Sequence, residues 1–70
     1  MNNTIEVIIN GIPESLQKDT LILDLLELKS IEPAKVVIEI NKNIIKREQY
    51  SSQTLHDNDH VEILRFVGGG

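Results

Sequence analysis

Seventy residues without a cysteine, at a formal net charge of −4, describe one small domain that uses neither disulfides nor thiolate metal sites. The seven basic residues are dispersed, with Lys46-Arg47 the only adjacent pair, and Tyr50 and Phe66 are the only aromatics; this excludes the basic stripe and stacking platform of a nucleic-acid binder and fits a basic protein partner better. Apolar runs stop at three residues, as in Val7-Ile8-Ile9, whereas a membrane span needs roughly 20, and Met1-Asn2-Asn3-Thr4 lacks the start of a secretory signal, so a cytoplasmic protein is expected.

From Thr4 to Ile9 the chain alternates, with Ile5, Val7 and Ile9 on one face of a strand. Asn10-Gly11 follows, a pair suited to a two-residue hairpin in which both residues take positive φ. The return strand, about Ile12 to Gln17, carries Pro13, which lacks a ladder donor and belongs at a sheet edge. Asp19 or Thr20 is expected to cap a helix from Leu21 to about Lys29, offering a side-chain oxygen to its first N–H groups. Ile22, Leu25 and Leu26 form its apolar stripe, widened by Leu21 and Leu28, while Asp24 and Glu27 face water. The helix should stop near Ser30, because Pro33 disfavours helical geometry at Glu32.

Val36 to Ile40 reads as a strand with Val36, Ile38 and Ile40 on one face. Asn41-Lys42-Asn43 makes a turn and Ile44-Ile45 a short strand. Arg47 to Thr54 is polar and irregular, anchored by Tyr50 and by Leu55 just beyond it. Asp57-Asn58-Asp59 is a tight turn with Asn58 in the left-handed region. His60 to Val67 is the last strand, with Val61 and Ile63 on one side and Glu62, Leu64 and Phe66 on the other. The order β-β-α-β-β-β gives an α+β fold, a mixed sheet of four to five strands packed on one main helix. With its first and last strands parallel at the centre, this is the ubiquitin-like β-grasp arrangement. Residues 1–67 form the domain and 68–70 a flexible tail.

That tail is Gly68-Gly69-Gly70. Residues without Cβ atoms make it thin enough for a narrow channel, and three of them extend roughly 10 Å. Read as the chain end, Gly70 is expected to offer its α-carboxylate as the reactive group of the tail. Covalent catalysis by the chain itself would need an activated nucleophile with a base beside it, and the composition of two histidines and no cysteine does not favour one. His56 and His60 are spaced like metal ligands on a helix, but they flank a turn, so no metal is expected. Asp57 and Asp59 lack the glycine and distal glutamate of a calcium loop. Leu64 and Phe66 form an apolar docking patch at the base of the tail, with Phe66 as its anchor. Glu62, Asp57 and Asp59 add attraction for a basic partner.

The chain resembles the ThiS sulfur carriers of thiamin biosynthesis over nearly its whole length. The resemblance rests on Val36-Val37-Ile38-Glu39-Ile40-Asn41, on Ile44 to Tyr50 with its Arg-Glu-Gln-Tyr segment, on Leu55 to Ile63 and on the terminal Gly69-Gly70. Lys46 stands where the family often has Pro, Asn58 where it often has Gly, and Gly68 extends the usual diglycine to three. The resemblance implies a carrier rather than an enzyme, with no bound cofactor. It further implies that an E1-like activating enzyme of the ThiF type uses ATP to adenylate Gly70, that a sulfur donor converts the adenylate to a thiocarboxylate, and that thiazole synthase (the ThiG type) receives the sulfur. Two alternatives stay open: a carrier like the small subunit of molybdopterin synthase, with the same terminal chemistry, and a β-grasp binding module with an inert tail.

Overall fold

A computed structural model describes residues 3–66. Five strands form one sheet in the order β2-β1-β5-β3-β4, with β1 at Thr4–Ile9, β2 at Ile12–Gln17, β3 at Val36–Ile40, β4 at Asn43–Ile45 and β5 at His60–Arg65. One helix, α1, runs Ile22–Leu28 and covers the inner face. β1 and β5 are parallel at the centre, and the other pairs are antiparallel. This is the expected β-grasp order. None of the described helices is long and apolar enough to cross a membrane.

The core follows the alternation in the sequence. Val7 and Ile9 on β1, Val36, Ile38 and Ile40 on β3, and Val61 and Ile63 on β5 are buried against Ile22, Leu25 and Leu26 of α1, with Tyr50 and Leu55 closing the end. Burying each of the larger side chains contributes about 1.5–3 kcal/mol. The β1–β2 hairpin turns through Asn10 (φ 49°) and Gly11 (φ 84°), as the Asn-Gly pair predicts. Lys18 N–H donates to the Asn3 carbonyl at 2.8 Å, so hydrogen-bonded pairs fall on even residues of β2. Pro13 therefore turns its missing donor outward, at the sheet edge, where no ladder bond is lost.

Three local expectations need correction. Neither Asp19 nor Thr20 caps α1. Asp19 takes φ 67° in the preceding turn, and the Thr20 hydroxyl donates to the Gln17 carbonyl at 2.6 Å. The N-cap is Leu21, whose N–H donates to Asp24 Oδ2 at 3.1 Å. The N–H groups of Ile22 and Leu23 donate to the carbonyls of Gln53 (3.0 Å) and Tyr50 (2.9 Å). A tertiary contact thus does the work of a side-chain cap, because a β-bridge between Leu21 and Thr54 holds the loop against the helix start. Leu28 does not widen the buried stripe; it is 72% exposed. At 3.6 residues per turn it lies to the side of the stripe formed by Ile22, Leu25 and Leu26. Finally, Asn43 begins β4 rather than belonging to the turn, which closes in two residues, Asn41 (φ 51°) and Lys42 (φ 72°).

Candidate functional site

β5 is the strand from which the chain's last residues emerge, and it lies between β1 and β3. Its inward residues Val61 and Ile63 are buried, while Glu62 and Leu64 point outward. Phe66, just past the strand, is held at the end of the ladder by its N–H, which donates to the Lys35 carbonyl at 3.1 Å. Leu64 is 45% exposed and Phe66 61%. Val37 lies opposite Leu64, Glu39 opposite Glu62, and Ile44 of β4 opposite Glu39. The outer face therefore carries an apolar patch with two facing carboxylates beside it. Ile44, 69% exposed, extends the patch beyond the residues the sequence singled out. A two-residue apolar run on a strand must send one side chain outward, and that was the available signal.

The acidic residues divide into two uses. Asp59 is buried; Asn41 Nδ2 donates to its Oδ1 at 3.0 Å, the His56 N–H to its Oδ2 at 2.8 Å. Asp57 Oδ1 accepts the Glu6 N–H at 2.7 Å. Asp57 thus ties the 56–59 turn to β1, while Asp59 braces the turn internally and to Asn41. Glu62 and Glu39 stand on the sheet face instead. His56 is an exposed turn residue with Nδ1 at 3.9 Å from Asp59 Oδ2. Among the described residues no group of three or more His, Cys, Asp or Glu side chains could hold a metal ion.

Two asparagines that read only as turn formers add side-chain bonds to the ladders that hold β5. Asn10 Oδ1 accepts the Ile63 N–H at 2.7 Å, and Asn10 Nδ2 donates to the Ile63 carbonyl at 3.2 Å. The backbone pairing of β1 with β5 covers only Ile8–His60 and Ile9–Val61. The carboxamide continues that ladder for one more step after β1 has turned away. Asn41 does the same from the other side, where its Oδ1 accepts the His60 N–H at 3.0 Å. The expected tail, Gly68, Gly69 and Gly70, lies outside the described residues, as does Val67.

The ThiS family model matches residues 7–70. The chain belongs to the ThiS family. It is 44% identical over 63 residues to the sulfur carrier protein ThiS of Bacillus subtilis, an alignment spanning 89% of this chain and 96% of that protein. The crystal structure of a thiamine biosynthesis protein (ThiS) from Geobacter metallireducens superposes with a TM-score of 0.80 at 32% identity, covering 94% of this chain and 100% of that one. A thiazole synthase from Magnetococcus marinus is 34% identical over 62 residues. That match takes in 89% of this chain but only 19% of the synthase, so the chain spans about a fifth of that relative.

Proposed function

We propose that this chain, a sulfur carrier protein of thiamin biosynthesis, carries its cargo on the α-carboxyl of Gly70 and acts as a protein substrate of its partner enzymes. A carboxylate at neutral pH is a poor electrophile because its charge is delocalised and its leaving group would be oxide. An E1-like enzyme of the ThiF type remedies this with ATP: the carboxylate attacks the α-phosphorus, pyrophosphate leaves, and an acyl adenylate forms. Sulfur supplied by a donor system then attacks the acyl carbon and displaces AMP, leaving a thiocarboxylate on Gly70. Thiazole synthase receives that sulfur. ATP belongs to the activating enzyme, and the carrier itself holds no cofactor. All of this takes place in the cytoplasm.

The observation that carries this reading is the position of the exposed patch. Leu64 and Phe66 lie on the outer face where the central strand ends, so a partner seated on them, with Glu62 at its rim, stands beside the tail. Gly68 and Gly69 give the carboxylate its reach into a channel while the folded body stays outside. The test incubates the full chain with a ThiF-type enzyme, ATP and a sulfur donor, then weighs the intact protein. A gain of about 16 Da, oxygen replaced by sulfur at a chain end at Gly70, is expected. No gain with the cognate activating enzyme overturns the reading. Deleting Gly70 should leave the melting temperature unchanged and abolish adenylation, since the carboxylate retreats by roughly 3.5 Å.

A further inference from the structure

The outer face of the sheet is one exposed surface; a second lies at the opposite edge, where β2 meets α1. A groove of about 630 Å³ runs there, lined by Ser15, Leu16 and Gln17 on the strand and Thr20, Asp24, Glu27 and Leu28 on the helix side. β2 is an edge strand. Its hydrogen-bonded positions toward β1 are the even residues, so the N–H and C=O of Ser15 and the N–H of Gln17 point away from the sheet. The Gln17 carbonyl is occupied by the Thr20 hydroxyl. The groove floor is apolar, with Leu16 buried and Leu28 72% exposed. Its helix wall is acidic: Asp24 and Glu27 are exposed, and neither belongs to an ion pair among the described residues.

We infer that this groove is a docking site for an extended basic segment of a protein partner, which adds as a short strand to β2. The three features act on different parts of the occupant. The outward amide and carbonyl of Ser15 and the amide of Gln17 take its main chain. Leu16 and Leu28 take an apolar side chain turned toward the helix. Asp24 and Glu27 take a Lys or Arg two residues along, on the same face of the added strand. An acidic segment is rejected by the same carboxylates. The site is separate from the Leu64–Phe66 patch, so one carrier can be held at its edge while its tail is being worked on. It does not depend on the thiocarboxylate chemistry.

The probe is the capped peptide Val-Thr-Lys-Thr-Val-Thr-Lys-Thr, which sets valine and lysine two residues apart on one face, titrated into the isotopically labelled full chain and followed by amide NMR shifts. The expected result is perturbation of Ser15, Gln17 and Leu28, with slowed exchange of the Ser15 and Gln17 amides. The paired change Asp24→Asn and Glu27→Lys keeps the acceptor for the Leu21 N–H and should weaken binding about tenfold. Ser15→Pro removes one outward donor at a position where an edge strand tolerates proline, and should weaken it about fivefold. A thermal melt of each variant separates lost binding from lost fold, and the paired surface variant decides if Ser15→Pro unfolds. The same peptide with glutamate in place of each lysine should leave the groove amides unmoved. The inference is overturned if the lysine peptide moves only the Leu64–Phe66 face, moves nothing, or binds the paired variant as tightly as the original chain.

Discussion

The two faces of β5 put neighbouring residues to opposite uses. Val61 and Ile63 are at 1% and 7% exposure against the helix, while Leu64 and Phe66, on the other side, stand at 45% and 61%. Side chains on a strand alternate with a period of two, so a slip of one residue would exchange the two sets. Five antiparallel pairs with β3 set that register, and two parallel pairs with β1 hold the other edge of the strand. The Asn10 and Asn41 carboxamides reinforce it, each from the turn that follows a neighbouring strand. Folding is the business of the inner face, the proposed docking surface lies on the outer one, and the register keeps the two apart.

The largest effect is expected on the inner side. Leu26 is fully buried between α1 and the sheet, and Leu26→Ala should cost about 2–5 kcal/mol in urea unfolding, through lost transfer energy plus a cavity. A cost below 1 kcal/mol would mean that the helix is not seated on the sheet as described. Next comes the clamp. Asn10→Ala removes both bonds to Ile63 and places alanine at φ 49°, so about 1–3 kcal/mol should be lost. Asn10→Asp, which keeps the acceptor for the Ile63 N–H, should recover part of it. If alanine and aspartate prove equal, the side-chain bonds are not what holds β5.

Phe66→Ala moves to the outer side and should reverse the pattern. Its ring is mostly in solvent, so stability should change by no more than about 0.5 kcal/mol. Affinity for the proposed activating enzyme, measured by calorimetry, should fall at least tenfold, as expected when a central aromatic anchor is truncated. A variant that unfolds while its residual binding is intact would place the ring in the core and invert the division between faces.

Most of this division was legible in the sequence, because it rests on period-two alternation. The same pattern that put Ile38 inside put Leu64 outside, and the Asn-Gly turn was visible in two letters. What escaped was set by contacts distant in sequence. The helix start takes its partners from Tyr50 and Gln53, so a reading of residues 19–21 for a capping oxygen looked in the wrong place. Leu28 is apolar and in the helix, yet it falls to the side of the stripe that Ile22, Leu25 and Leu26 bury. Asp57 and Asp59 read as surface charge, and nothing local says that Asp57 accepts from Glu6 on β1 or Asp59 from Asn41. Asn10 and Asn41 announced turns, and nothing local says that a turn's side chain will pair with a third strand.

The smallest effect is also the sharpest test, because it should have opposite signs for stability and for recognition. Glu62 and Glu39 face each other across the β3–β5 pair, and neither forms an ion pair among the described residues. Like charges directly opposite one another on a sheet are unfavourable, so the fold tolerates this pair at a small cost. Glu62→Gln should therefore raise stability by about 0.2–0.5 kcal/mol at low ionic strength. The gain should vanish near 1 M salt, where the Debye length is about 3 Å. The same change should slow association with a basic partner and flatten its salt dependence, since an exposed rim charge acts chiefly on the encounter rate. A surface residue with no role in docking would give the first result without the second. One that braces the sheet would lose stability instead, and either outcome would remove Glu62 from the recognition face.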